Sequence, residues 1–198
     1  MVDQTSRMDK VLRRRERIVE AAATCFALKG FHQTSMREIS AAAGVSLGNL
    51  YNHFDSKSDL ILEMAKLEEK EDAPLLARLK SMTDPEKAIE EGVKELFFSY
   101  QEPLIAALAL EITVEATRDE AISESFEKNR KAYCSTLAEQ ISNYQSAKGT
   151  EMSGDIEFLA LCILDLVESA AIRQALESES DANTAFEKLM PIVRKLIS

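Results

Sequence analysis

The stretch Ser35–Phe54, SMREISAAAGVSLGNLYNHF, decides how this chain is read. It opens on Ser35-Met36-Arg37-Glu38, a capping box. A serine hydroxyl accepts one orphan N–H of a helix start, and a glutamate three residues on reaches back to the serine N–H. Ile39, Ala42 and Ala43 give the helix that follows a buried edge. Gly44 stops it, Val45 plugs the turn, and Ser46 is placed to cap a second short helix, Leu47 to His53. The alanines at 41–43 let two helices approach closely. Small residues at a crossing, glycine in the turn and a short second helix with polar outer positions are what a helix-turn-helix requires, with the second helix in a DNA groove.

Upstream, the spacing predicts a helix over Asp9–Lys29, with residues 1–8 fraying. Ile18, Ala22, Cys25 and Phe26 share one face, and Gly30 follows Lys29 as a C-terminal cap. Residues 1–60 contain nine Lys and Arg against seven Asp and Glu, within a chain whose formal net charge is -10. Arg13, Arg14, Arg15 and Arg17 crowd together in that first part. A slightly basic head on an acidic body suits a protein that approaches phosphate with one end.

Gly (6) and Pro (4) are scarce in the 198 residues and Trp is absent, which favours helix over a multi-stranded sheet. The fold class expected is all-α. Cys25, Cys134 and Cys162 are far apart and odd in number, which fits a reducing, cytoplasmic setting rather than a disulfide framework. Neither a signal peptide nor an apolar run long enough to span a bilayer is read. No catalytic or nucleotide-binding fingerprint is present, and the two histidines, His32 and His53, both lie near the head. Neither an enzyme, nor a cofactor, nor a metal is expected.

Gly30-Phe31, Thr34-Ser35, Ile39, Ala43-Gly44-Val45-Ser46, Gly48, Leu50-Tyr51, His53-Phe54, Lys57 and Leu60 fall in one register. On these residues, Arg13 to Leu60 resembles the DNA-binding domain of the TetR-type (tetracycline-repressor-like) transcriptional regulators. The resemblance covers under a third of the chain. It implies a DNA-binding domain of three helices over residues 1–56 and a larger helical domain over 57–198, about nine helices in all. It further implies a homodimer on a palindromic double-stranded operator, with a small molecule in the C-terminal domain releasing the DNA. Its residue register assigns DNA contact to Thr34, Ser35, Ser46, Leu47, Gly48, Tyr51, Asn52, His53 and Lys57.

Chemistry gives those positions separate tasks. Leu50 and Phe54, one turn apart, anchor the second helix inward. Asn52 suits an adenine edge and Leu47 a thymine methyl. Gly48 lets the backbone come close. Tyr51 and His53 fall where the family donates to phosphate. Lys57 and the hydroxyls of Thr34 and Ser35 stand at helix starts, where anions bind. Arg13 to Arg15 are expected at the flanking backbone or minor groove, and His32 in an exposed loop.

The rest of the chain reads as helices over Lys57–Glu71, with Pro74 ending or kinking it, then Leu75–Leu79, Pro85–Gln101, Leu104–Arg118, Asp119–Ser146, Gly154–Ser178 and Asn183–Ile197. The last two are expected to pair between protomers, through Phe158, Leu159, Cys162, Ile163 and Leu166 of one and Phe186, Leu189, Met190 and Val193 of the other, with Pro191 kinking the latter. Phe97, Tyr100, Leu104, Leu108, Glu111, Ile112, Phe126 and Tyr133 are the candidate lining of a pocket for a small apolar or amphipathic ligand. A buried carboxylate at Glu111 or Glu115 would suit a cationic one. The alternative, and the preferred one, pairs Glu115 with Arg118 at the surface. Two other functions stay open: a DNA-binding dimer governed by a protein partner or by no ligand, and an acidic helical interaction protein.

Overall fold

The computed structural model describes the backbone of residues 2–150, 154–177 and 181–198, and the side chains from residue 11 onward within these. Among the described residues there are nine helices and no strand: α1 (Val2–Lys29), α2 (Met36–Ala42), α3 (Leu47–Tyr51), α4 (Lys57–Ser81), α5 (Pro85–Ser99), α6 (Pro103–Ala116), α7 (Glu120–Lys148), α8 (Ile156–Leu176) and α9 (Ala182–Ile197).

Local chemistry sets most boundaries. Asp84, Asp155 and Asp181 are the N-caps of α5, α8 and α9, each accepting a backbone N–H of its own first turn. Pro85 occupies the first turn of α5, where its missing N–H costs nothing. Gly30 and Gly149 close α1 and α7 with φ of 84° and 68°.

Two expectations fail at helix ends. Helix α1 begins at Val2 rather than Asp9; residues 2–17 contain neither Gly nor Pro to interrupt it. Helix α4 runs unbroken through Pro74 to Ser81. The proline forgoes one helical hydrogen bond, but Leu75 and Leu76 pack on the core of their unit and Leu79 is buried. Packing of that kind outweighs a local penalty of about 3 kcal/mol. Pro191 likewise lies inside a continuous α9.

The chain divides into two compact units. The first contains residues 1–67 and 107–125, that is α1–α3, the start of α4 and most of α6. Its buried residues include Ile18, Ala22, Phe26, Ile39, Leu50, Phe54 and Leu60. The second contains 68–106 and 126–198. There α5, α7, α8 and α9 share a core that includes Val93, Phe97, Leu137, Ile141, Ile163, Val167, Leu189 and Val193. Gly92 is a point of close approach: a Cβ there would stand 3.0 Å from Leu79 Cδ1, and its carbonyl accepts the Tyr133 hydroxyl at 2.6 Å.

The stripe expected to join protomers faces home. Ile163, Leu189, Met190 and Val193 are buried in the core of their own unit. Phe186 is partly buried and stacks on Phe97 and Phe98, with ring centroids 5.6 Å apart in both pairs. Within one copy of the chain, the buried side of α9 is already covered by the core of its own unit. What α8 and α9 leave outward is different: Phe158, Cys162, Leu176, Ile192 and Leu196 are exposed, with Leu159 and Leu166 half-buried.

Candidate nucleic-acid interface

The helix-turn-helix is assembled by short-range bonds. Glu38 N donates to Ser35 Oγ at 3.3 Å, and Ser35 N donates to Glu38 Oε2 at 2.9 Å. Lys29 adds an ion pair to Glu38 at 2.6 Å, tying the end of α1 to the start of α2. These bonds, Lys29 first, hold the Glu38 carboxyl down to about 2. Gly44 adopts φ 66°, the left-handed turn that glycine tolerates. Arg17 donates to the Ala43 carbonyl at 2.8 Å and so caps the end of α2. Ala42 is exposed; Ser40, bonded to the Arg37 carbonyl at 2.8 Å, takes the buried position beside Ile39.

Helix α3 is five residues long and capped by Ser46, whose Oγ accepts Asn49 N at 3.2 Å. It stops at Tyr51, shorter than expected, because His53 N turns to the Leu50 carbonyl at 2.9 Å. Leu50 and Phe54 are buried and seat it. Its opposite face is open. Gly48, Tyr51 and Asn52 are exposed, Tyr51 by 47%, and Leu47 and His53 are half-exposed. A Cβ on Gly48 would meet nothing within 4 Å, so no neighbour in the protein demands a glycine there.

Three residues assigned to DNA from sequence have other partners. Thr34 is 2% exposed, and its hydroxyl donates inward to the carbonyls of Cys25 and Gly30. Lys57 bonds to the Phe31 carbonyl and lies 4.4 Å from the Phe31 ring centroid; burial pulls its pKa below the ordinary lysine value. Arg15 reaches into its own unit rather than outward, with its guanidinium on Glu63, on the His53 carbonyl and over the Phe54 ring. Arg13 and Arg14 are exposed, and so are Ser35 and Ser46 beside the α2 and α3 starts.

The two carboxylates of α6 belong to this unit and have definite partners. Glu111 Oε2 accepts Phe31 N at 2.9 Å. Glu115 is 5% exposed and pairs with Arg118 and with His32 Nε2, each at 3.1 Å. Glu115 therefore pairs with Arg118 as preferred, but it is buried rather than at the surface, and His32 is an exposed loop residue with a partner. The clamps Arg15–Glu63, Arg17–Ala43 and Glu111–Phe31 had no signal in the sequence, because each joins residues 26 to 80 positions apart.

The candidate ligand residues are divided between the two units. Leu108, Glu111 and Ile112 fall in the first unit. Phe97 and Tyr133 are core residues of the second, where Tyr100, Leu104 and Phe126 are half-buried. Also in the second unit, Glu68 accepts Asn129 Nδ2 at 2.8 Å and Glu168 accepts Arg130 Nη1 at 2.6 Å. Burial is the main cause that raises the carboxyls of Glu68, Asp72 and Glu168 and the phenol of Tyr100 above their ordinary values. Among the described residues no cluster could hold a metal ion, and no helix is long and apolar enough to cross a membrane.

A short capped helix, seated by two inward side chains and open on its outer face, follows a second capped helix across a glycine turn. That arrangement defines a helix-turn-helix DNA-binding regulator. Residues 18–64 match the family model of bacterial regulatory proteins, tetR family. Over 53 residues the chain is 43% identical to the transcriptional repressor KstR2 of Rhodococcus jostii, a match spanning 27% of this chain and 26% of that protein. Over 172 residues it is 29% identical to the transcriptional regulator UidR of Escherichia coli, covering 86% of this chain and 85% of UidR. The solved structure of Salmonella enterica GusR superposes with a TM-score of 0.71 at 26% identity, covering 92% of this chain and 96% of GusR. Residues 18–64 thus match the DNA-binding part of the TetR-type transcriptional regulators, and over most of its length the chain is similar to regulators of that type.

Proposed function

We propose that this regulator is a homodimeric repressor that reads a palindromic operator and leaves it when a small molecule binds the helical second unit. The observation that carries the reading is the open face of α3. Leu47, Gly48, Tyr51 and Asn52 stand outward while Leu50 is fully buried. Tyr51 and His53 serve phosphates, with Ser35 and Ser46 at the neighbouring helix starts, and Asn52 reads a base. One helix of five residues reads few bases, so specificity needs a second copy, about 34–36 Å away on the next major groove.

The pairing surface in this proposal is the outward side of α8 and α9. Phe158 and Leu176 on α8 and Ile192 and Leu196 on α9 are large apolar side chains in water, and a two-fold axis would let each copy cover the other. The ligand in this reading is small and amphipathic. Tyr100 supplies a partly buried ring, and Glu68 and Asp72 supply carboxyls that desolvation leaves in want of positive charge, while Glu168 is already paired with Arg130.

Affinity selection from random duplex DNA tests the first part, with a two-fold symmetric consensus as the expected result. Absence of any consensus at moderate salt would remove the DNA-reading assignment. Release of the selected DNA by amphipathic cations, anions and neutral molecules tests the second. Cations are expected to act, and indifference to all three classes would favour a protein partner or no ligand.

A further inference from the structure

We propose that Arg15 is the positioning residue through which α4 sets the recognition helix α3. The inference rests on the DNA-reading assignment above, and it concerns a residue whose guanidinium is engaged within its own unit.

The guanidinium faces three groups at once. Its Nε and Nη2 donate to the two oxygens of Glu63 on α4, at 2.7 and 2.8 Å. Its Nη1 donates to the His53 carbonyl at 3.0 Å. Its carbon lies 4.2 Å from the Phe54 ring centroid. His53 and Phe54 are the residues that close the recognition helix, since both of their N–H groups bond to the Leu50 carbonyl. One planar group therefore grips the closing turn by a carbonyl and a ring, and is oriented by α4.

A guanidinium fork bound to both carboxylate oxygens has one orientation, whereas an ammonium would have many. Glu63 is well covered, its side chain 16% exposed, and Lys66 stands 3.5 Å from its second oxygen. The carboxylate thus has a fixed place from which to aim Arg15. A shift at the start of α4 would reach His53 and Phe54 through this guanidinium.

The test uses Glu63→Gln and Arg15→Lys in the full chain. The readout is the ratio of affinity for the selected operator to affinity for unrelated duplex DNA, measured over a series of salt concentrations. If Arg15 positions α3, both substitutions lower that ratio about tenfold, the loss of one well-made base contact. The slope of log affinity against log salt then stays at its wild-type value. If Arg15 instead leaves Glu63 to hold a phosphate, Glu63→Gln tightens binding to all DNA and Arg15→Lys leaves the ratio alone, which overturns the proposal. A merely structural staple also overturns it, because loss of folded protein weakens operator and unrelated DNA alike and the ratio is unchanged. Failure of the wild-type chain to select any sequence is a separate outcome, and it removes the DNA-reading assignment itself.

Discussion

Glu111 accepts the backbone N–H of Phe31 at 2.9 Å, joining residues 80 positions apart. The same residue's carbonyl takes Lys57, so the turn between α1 and α2 is held from α6 on one side and α4 on the other. Phe31 is 8% exposed, which leaves its N–H little access to water once the acceptor is gone. Glu111→Ala is expected to cost about 1–3 kcal/mol of stability, the range for a buried donor losing a charged partner. Glu111→Gln, which keeps an oxygen there, should cost less than half of that. Denaturant melts of the three proteins decide it; equal stability of the alanine and wild-type forms would show that the bond is idle.

Gly48 separates fold from function. Beyond its own helix backbone and chain neighbours, no described residue comes within 4 Å of a Cβ built there. Gly48→Ala should therefore hold or raise the melting temperature, because alanine in a helix is favoured by up to about 1 kcal/mol. Operator affinity should nevertheless fall, since the methyl would meet DNA. A variant that binds as tightly as wild type would show that the backbone does not come close at this point.

Asn52 is the C-cap of α3 and exposed. Asn52→Ala is expected to relax preference at one base pair of each half-site, by about 1–3 kcal/mol if the contact is bidentate. Repeating the DNA selection with the variant measures this directly, and an unaltered consensus would assign the readout elsewhere.

The capping box carries a pH signature. Glu38 has its pKa lowered from 4.5 to about 2 in the folded protein, chiefly by Lys29 and then by Ser35. Because the folded value lies below the unfolded one, its stabilisation is complete above the ordinary glutamate range and disappears as pH falls toward about 2. The melting-temperature gap between wild type and Glu38→Gln should be largest near neutrality and close over that window. A gap independent of pH would mean that the charge is immaterial.

Phe158 and Val193 were both expected at a protomer interface, yet one is 63% exposed and the other fully buried. Phe158→Glu should leave the fold intact and shift the protein toward monomer in sedimentation, with operator binding lost at low concentration. Val193→Asp should unfold the second unit, since an unpaired charge in a core is among the costliest substitutions. If Phe158→Glu stays dimeric, the pairing surface lies on another face.

These contrasts show what the amino-acid order makes legible. Ser35, Ser46, Asp84 and Asp155 each act on an N–H three residues away, so their roles can be read directly from the chain. Arg15 and Lys57 read as DNA-facing and Glu111 as a pocket carboxylate in sequence, because the partners they take come from distant parts of the chain. Residues 186–197 announce an apolar stripe, but periodicity is silent on whether the cover belongs to the same copy. Pro74 misled for a related reason: its local penalty is visible, while the burial of Leu79 that offsets it is not.

That inward-facing stripe has a consequence for the cell. With Ile163, Leu189, Met190 and Val193 enclosed within one copy, folding is expected not to wait for pairing. A dimer held by Phe158, Leu176, Ile192 and Leu196 would obey mass action. Below its dissociation constant, operator occupancy would rise with the square of protomer concentration. The amount of protein made would then be a regulatory input in its own right, setting a threshold before any effector arrives.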